Sequence, residues 1–258
     1  MDEPTLRSAL KHLPVPALHF FDSIGSTNDL ALQLAAGGAP DGTLVAADQQ
    51  VSGRGRLDRR WITEPGGALA FSLVLRPNPT EQAALALFAP LCGLAVSRAL
   101  EALGLQPEIK WPNDVLLGRR KTCGILVEAQ WQGTRLEGLV AGIGVNVARS
   151  SVPPEQDVRF PATCVESALG HPLDRVELLA EILQSVFTER ARLGSPEFFS
   201  AWESRLAFLG EWVRIEQQGQ ERAGRVLGIS PTGSLRLISL EGSPFEVEAG
   251  ELSLRPVL

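Results

Sequence analysis

The chain has 258 residues, with 24 basic and 30 acidic side chains for a net charge of −6, three cysteines and no tyrosine. A composition of 44% hydrophobic and 21% charged residues excludes global disorder, and the net acidity argues against broad nucleic-acid binding. Cys92, Cys123 and Cys164 are far apart and form no C-x-x-C pair, so neither a disulfide framework nor a zinc site is indicated. Apolar runs look too short for a bilayer span, and the acidic start Met1-Asp2-Glu3-Pro4 is unlike a secretory signal, so a cytoplasmic location and no membrane partner are expected.

After an apolar lead ending at Phe20-Phe21, Ser26-Thr27-Asn28 precedes an Ala/Leu-rich run stopped by Gly37-Gly38, the pattern of a capped helix. Strands are predicted over 43–47 and 68–75, separated by a loop rich in glycine and arginine. One long helix is predicted over 81–103. Strands follow over 109–111, 115–117, 124–131 and 136–147, with turns at Asn113-Asp114, Gly118 and Gln132-Gly133. Helices are predicted over 174–192 and 197–209. Beyond Gly210 the texture changes to short alternating runs at 212–216, 222–229, 235–240, 245–248 and 252–257. These divide the chain into an α+β domain, 1–209, and a small C-terminal β-barrel, 210–258.

Two segments concentrate chemistry. Gly53-Arg54-Gly55-Arg56-Leu57-Asp58-Arg59-Arg60-Trp61 carries four arginines, whose mutual repulsion is relieved by an anion or by solvent. Arginine forks suit phosphate and carboxylate, and Trp61 offers a flat face for a base. Without an anion the segment is expected to be mobile, closing as a lid when a phosphate arrives. The second segment is Lys110-Trp111-Pro112-Asn113-Asp114, followed by Lys121-Thr122-Cys123-Gly124-Ile125-Leu126-Val127-Glu128. Lys121 heads an apolar strand, where an ammonium needs a compensating anion. Glu128 is equally suited to a structural ion pair, and Cys123 reads as core.

Other motifs fail on inspection. Gly118-Arg119-Arg120-Lys121-Thr122 does not complete a P-loop, and Gly142-Ile143-Gly144-Val145-Asn146 lacks the third glycine of a dinucleotide fingerprint. His12, His19 and His171 lie outside every motif, so histidine chemistry is not expected. Attack of a carboxylate on the α-phosphorus of ATP fits such a residue set, because a carboxylate is already ionised near neutrality and needs no base.

Taken in order, Ser26-Thr27-Asn28, the G-R-G-R loop with Trp61, K-W-P-N-D, K-x-x-G-I-L-x-E, G-x-G-x-N and the late Glu251-Leu252-Ser253-Leu254-Arg255 resemble the biotin protein ligases, the biotin–[acetyl-CoA-carboxylase] ligases. The resemblance implies a mixed or antiparallel sheet with helices for the catalytic domain. It also implies that biotin and MgATP give biotinyl-5′-AMP, and that the acyl group passes to one lysine of a biotin carboxyl carrier protein. By position, Ser26, Thr27, Asn28 and Gln50 would line the ureido pocket, and Gly124 would also lie against biotin. Arg54, Gly55 and Arg56 would close over biotin and phosphate, with Arg56 and Lys121 as catalytic residues. Trp61, Asn113 and Asn146 would lie on the nucleotide side, and Asp114 would meet Mg²⁺ or the incoming lysine. Only 25 residues precede Ser26, so the DNA-binding domain of some family forms is expected to be absent. The resemblance also suggests a homodimer. The rival readings are a lipoate or octanoate ligase, disfavoured by the polar pocket set, and a non-catalytic biotin-binding regulator, disfavoured by intact Lys121 and Arg56.

Overall fold

The computed structural model describes residues 1–258 apart from 58, 62, 159, 218–219, 249–251 and 257–258. Asp58 of the arginine loop, Glu251 of the late motif and Val257 of the last predicted strand therefore lie outside the described residues.

Helix α1 (Glu3–Ala9) opens the chain, with Asp2 as its N-cap. Strand β1 (Leu18–Ile24) follows, and then α2 (Thr27–Ala36), capped by Ser26 as the sequence indicates. Strand β2 (Leu44–Gln50) leads into a two-stranded hairpin, β3 (Gly53–Arg54) with β4 (Arg60–Trp61), and then into β5 (Ala68–Leu75). The single helix predicted over 81–103 is broken. It consists of α3 (Pro79–Gln82), a 3-10 turn at Leu85–Leu87 and α4 (Phe88–Ala102). Pro90 gives the reason. A proline inside one continuous helix loses a hydrogen bond and clashes with the preceding turn, but a helix restarting at Phe88 places it in the first turn, where no N–H partner is needed.

Strands β6 (Pro107–Lys110), β7 (Asp114–Leu117), β8 (Arg120–Gln132) and β9 (Arg135–Asn146) complete a seven-stranded sheet in the order β1-β2-β5-β9-β8-β7-β6. Only β1–β2 is parallel, so the sheet is mixed. The short α5 (Val165–Leu169) and then α6 (Arg175–Arg190) and α7 (Pro196–Glu203) follow. Helix α4 and α6 pack together and bury the main core against one sheet face, while α2 covers the other through Ala31, Ala35, Val45, Val74 and Val140. The helical stretch Leu85–Ala102 matches a membrane span in length and hydropathy, contrary to the sequence reading, yet two-thirds of it (67%) is buried in this core.

The helix predicted over 197–209 stops at Glu203 because its tail has another partner. Ile109 N–H donates to Arg205 O at 2.6 Å, and Ala207 N–H donates to Ile109 O at 2.9 Å. The tail thus covers the open edge of β6, whose unpaired backbone would otherwise invite another strand.

The C-terminal region forms β10 (Trp212–Gln217), β11 (Gln220–Ile229), β12 (Leu235–Ile238), β13 (Pro244–Val247) and β14 (Leu252–Pro256). They make a five-stranded antiparallel sheet in the order β13-β12-β11-β10-β14. The expected barrel is corrected on one point: among the described residues no pairing joins β13 to β14, so the sheet is open.

This sheet is bonded to the preceding α/β region at two points. The buried Trp111 Nε1–H donates to Gly233 O at 3.0 Å, and Ile229 N–H donates to Glu203 Oε1 at 3.0 Å. Trp111→Phe removes the first bond and leaves a buried carbonyl unsatisfied, so it is expected to lower the stability by about 1–3 kcal/mol, read from the urea midpoint.

Candidate active site

The strand register explains where the cleft lies. On the face covered by α2, Val74 pairs with Val140, Ser72 with Gly142, and Ala70 with Gly144. Gly144 in turn pairs with Gly124 on β8. Cross-strand partners share a face, so the valines carry the body of α2, while the glycines leave open floor beneath its N-terminus. A Cβ on Gly142 would overlap Asn28 Oδ1, and one on Gly144 would overlap the Trp61 indole. A Cβ on Gly124 would lie 3.0 Å from Trp61 Cζ3 and 3.1 Å from Lys121 Nζ.

Above this floor is a cleft of about 560 Å³. The residues that the resemblance assigns to the site line it: Ser26, Thr27, Asn28 and Gln50 at one end, Arg54, Gly55, Arg56 and Trp61 along the hairpin, and Asn113, Asp114, Lys121, Gly124 and Asn146 at the other.

The α2 end is a hydroxyl and amide network. Gln50 Oε1 accepts the Thr27 backbone N–H at 2.8 Å and lies 3.0 Å from the Thr27 hydroxyl. Asn28 bonds three protein partners. Its amide donates to Glu128 Oε2 at 2.8 Å and to Leu126 O at 3.3 Å, and its Oδ1 accepts from the Ser72 hydroxyl at 2.6 Å. These bonds make Asn28 a brace between α2, β5 and β8. Ser26 Oγ accepts the Asp29 N–H at 3.4 Å, leaving its own proton to donate. Ser72 was not picked out from the sequence. Its only signal is a hydroxyl in the otherwise apolar strand Ala68–Leu75, where it is completely buried.

The arginine segment forms the β3–β4 hairpin, in which Arg54 lines the cleft and pairs with two carboxylates. Its guanidinium lies 2.7 Å from Asp29 Oδ1 and 2.8 Å from Glu128 Oε2, and the Glu128 hydrogen bonds raise its pKa. Arg56 lines the cleft opposite Asn113. Its Nη1 donates to Asn113 Oδ1 at 3.3 Å, and burial lowers its pKa despite the Asp114 charge nearby. The Trp61 indole N–H is buried with no partner among the described residues, which leaves a donor for a ligand.

At the far end Asp114 lies between two lysines. Lys121 Nζ is 2.6 Å from Oδ1 and Lys110 Nζ is 3.1 Å from Oδ2. Burial alone would raise this carboxyl; the Lys121 and Lys110 ammoniums outweigh it and hold the pKa at about 2. Both Asp114 oxygens thus face lysine ammoniums in this structure. Among the described residues no cluster of three His, Cys, Asp or Glu side chains could hold a metal. Cys123 is core as expected, and burial pushes its thiol well above the usual range.

Residues 20–146 match the Biotin/lipoate A/B protein ligase family. The chain is 36% identical over 234 residues to the bifunctional ligase/repressor BirA of Bacillus subtilis, covering 87% of this chain and 70% of that protein. It is 36% identical over 222 residues to the biotin–[acetyl-CoA-carboxylase] ligase of Paracoccus denitrificans, covering 82% and 90%. The structure of biotin protein ligase from Aquifex aeolicus in complex with biotin and ATP superimposes with a TM-score of 0.80 at 32% identity, over 94% of this chain and 100% of that one. The chain belongs to the biotin protein ligase family.

Two expectations follow from the geometry. Gly144→Ala should displace Trp61 from the floor and destabilise the fold by about 1–3 kcal/mol, seen as a lower melting point with altered tryptophan emission. Asp114, depressed from its ordinary 3.8 to about 2, contributes stability that is fully present above about pH 4 and is lost as the pH falls through about 2. Asp114→Asn should remove that acid-side slope, on the order of 2 kcal/mol, from a plot of unfolding free energy against pH.

Proposed function

We propose that this chain is the ligase that activates biotin with ATP to biotinyl-5′-AMP and transfers the biotinyl group to a lysine of a biotin carboxyl carrier protein. The observation that carries the reading is one cleft with a neutral hydrogen-bonding end, Ser26, Thr27 and Gln50, and a cationic end, Arg56 and Lys121. That polarity matches a molecule with a neutral cyclic urea at one end and a carboxylate at the other. An alkyl chain or a dithiolane would leave the polar end unsatisfied, which argues against lipoate.

In the first step a biotin carboxylate oxygen attacks the α-phosphorus of ATP. A new P–O bond forms, the bond to the bridging oxygen breaks, and pyrophosphate leaves. Lys121 turns from Asp114 toward the carboxylate and α-phosphate, and Arg56 faces the same charge from the hairpin. The two cations hold two anions together, an alignment that solution disfavours. Trp61 covers the floor beside the nucleotide and excludes water from the acyl phosphate. In the second step the acceptor amine attacks the acyl carbon and AMP leaves. Mg²⁺ enters as part of the MgATP substrate, and no step is assigned to a protein-held metal. Net charge −6 fits a cytoplasmic enzyme whose macromolecular partner is an acceptor protein rather than DNA.

Purified protein should catalyse biotin-dependent exchange of pyrophosphate into ATP, with lipoate a poor substitute; equal exchange with lipoate would overturn the assignment. Lys121→Ala should stay folded and lose about 2–4 kcal/mol of transition-state stabilisation in the same assay.

A further inference from the structure

The ion cluster around Asp114 contains more charge than the two-step reading uses. Lys110 closes β6 and stands directly across the hairpin from Asp114. Its side chain is 11% exposed and that of Asp114 9%, against 26% for Lys121. Lys110 Nζ lies 4.8 Å from the Phe160 ring centroid, and both residues line the cleft. Lys121 Nζ lies 5.8 Å from the Trp61 ring. The two lysines therefore hold separate oxygens of one carboxylate; both line the cleft, and Lys121 is the more exposed of the two and lies beside Trp61.

A buried carboxylate without a counter-ion is strongly unfavourable. If Lys121 were its only partner, any movement of Lys121 to substrate would strand Asp114. We infer that Lys110 is a positioning residue, the resident counter-ion of Asp114 that frees Lys121 to leave for the substrate oxyanion. The inference rests on the proposed role of Lys121 in the ligase reaction. In this role Lys110 acts through Asp114 and Lys121. The other groups acting on Asp114 are Arg56 from the hairpin and the neutral Cys123 thiol on β8, while Arg59 faces Lys110 and Arg56. Neither arginine has an ion pair to Asp114 among the described residues.

In the ligand-free protein Lys121 still compensates Asp114, so Lys110→Met should fold. In the substrate complex that variant must leave Asp114 buried and unpaired, or protonate it. The test is biotin-dependent ATP–pyrophosphate exchange across pH for wild type, Lys110→Met, Lys110→Arg, Asp114→Asn and the Lys110→Met/Asp114→Asn double variant, with melting curves for each. Lys110→Met should lower kcat roughly 10- to 100-fold with little change in KM for biotin. Its acid limb should move up by about one pH unit, because Asp114 in the complex then titrates without a cation. Lys110→Arg should restore both rate and limb. The double variant should be no slower than Asp114→Asn alone, because no carboxylate remains to compensate. An additive double variant, or a Lys110→Met enzyme with the wild-type acid limb, would overturn the inference. If Lys110→Met does not fold, the comparison of the double variant with Asp114→Asn and the Lys110→Arg limb decide it by the same criteria. Wild-type protein without biotin-dependent exchange would instead overturn the ligase reading itself.

Discussion

Asn28 and Trp61 reach the sheet because Gly142 and Gly144 present no side chain beneath them. The rest of the site follows from that close approach. With Asn28 against Gly142, its amide can bond Ser72, Leu126 and Glu128 together, fixing the N-terminus of α2 over β5 and β8. Glu128 then pairs with Arg54 and anchors the hairpin, while Trp61 at the hairpin's far end lies across Gly124 and Gly144. A valine at either β9 position, as found one pair earlier at Val140, would lift the helix and the hairpin away from each other.

Charge is distributed with equal economy. Four arginines in one segment of an acidic protein repel one another, and the fold answers that repulsion locally. Arg54 takes two carboxylates, and Asp114 supplies a favourable charge to the desolvated Arg56. Burial and the two lysines act on Asp114 in opposite directions, and the lysines prevail. A cleft built in this way keeps its cations in place before an anion arrives, so little reorganisation is needed when one does.

The C-terminal sheet contributes to the site from outside it. Trp111 sits between Lys110 and the Asn113-Asp114 turn, and its indole is bonded to the turn of the second sheet at Gly233. The strand tail at Arg205–Ala207 holds the other side of Ile109. The hairpin that carries Lys110 and Asp114 is thereby clamped by two elements distant in sequence, which suits a segment that must hold buried charges in register.

Much of this was legible in the residues themselves. The Ser26 cap, the strand Ala68–Leu75 and the turns after Leu117 and Gln132 lie where local pattern placed them, because capping, alternation and turn chemistry act over a few neighbours. Pro90 carried the helix break in plain view, although an Ala/Leu-rich run obscured it. Other features have no local signature. The sequence marks Ser72 as a hydroxyl in an apolar strand but does not say that Asn28 lies above it, 44 residues away in the chain. It marks Arg54 as a cation but does not show that Asp29 and Glu128 satisfy it. It places Lys110 and Lys121 near one another but does not show that one carboxylate lies between them. Each of these depends on strand register and on which groups lose their water together, and those are decided only when the sheet, the helix and the hairpin close on one another.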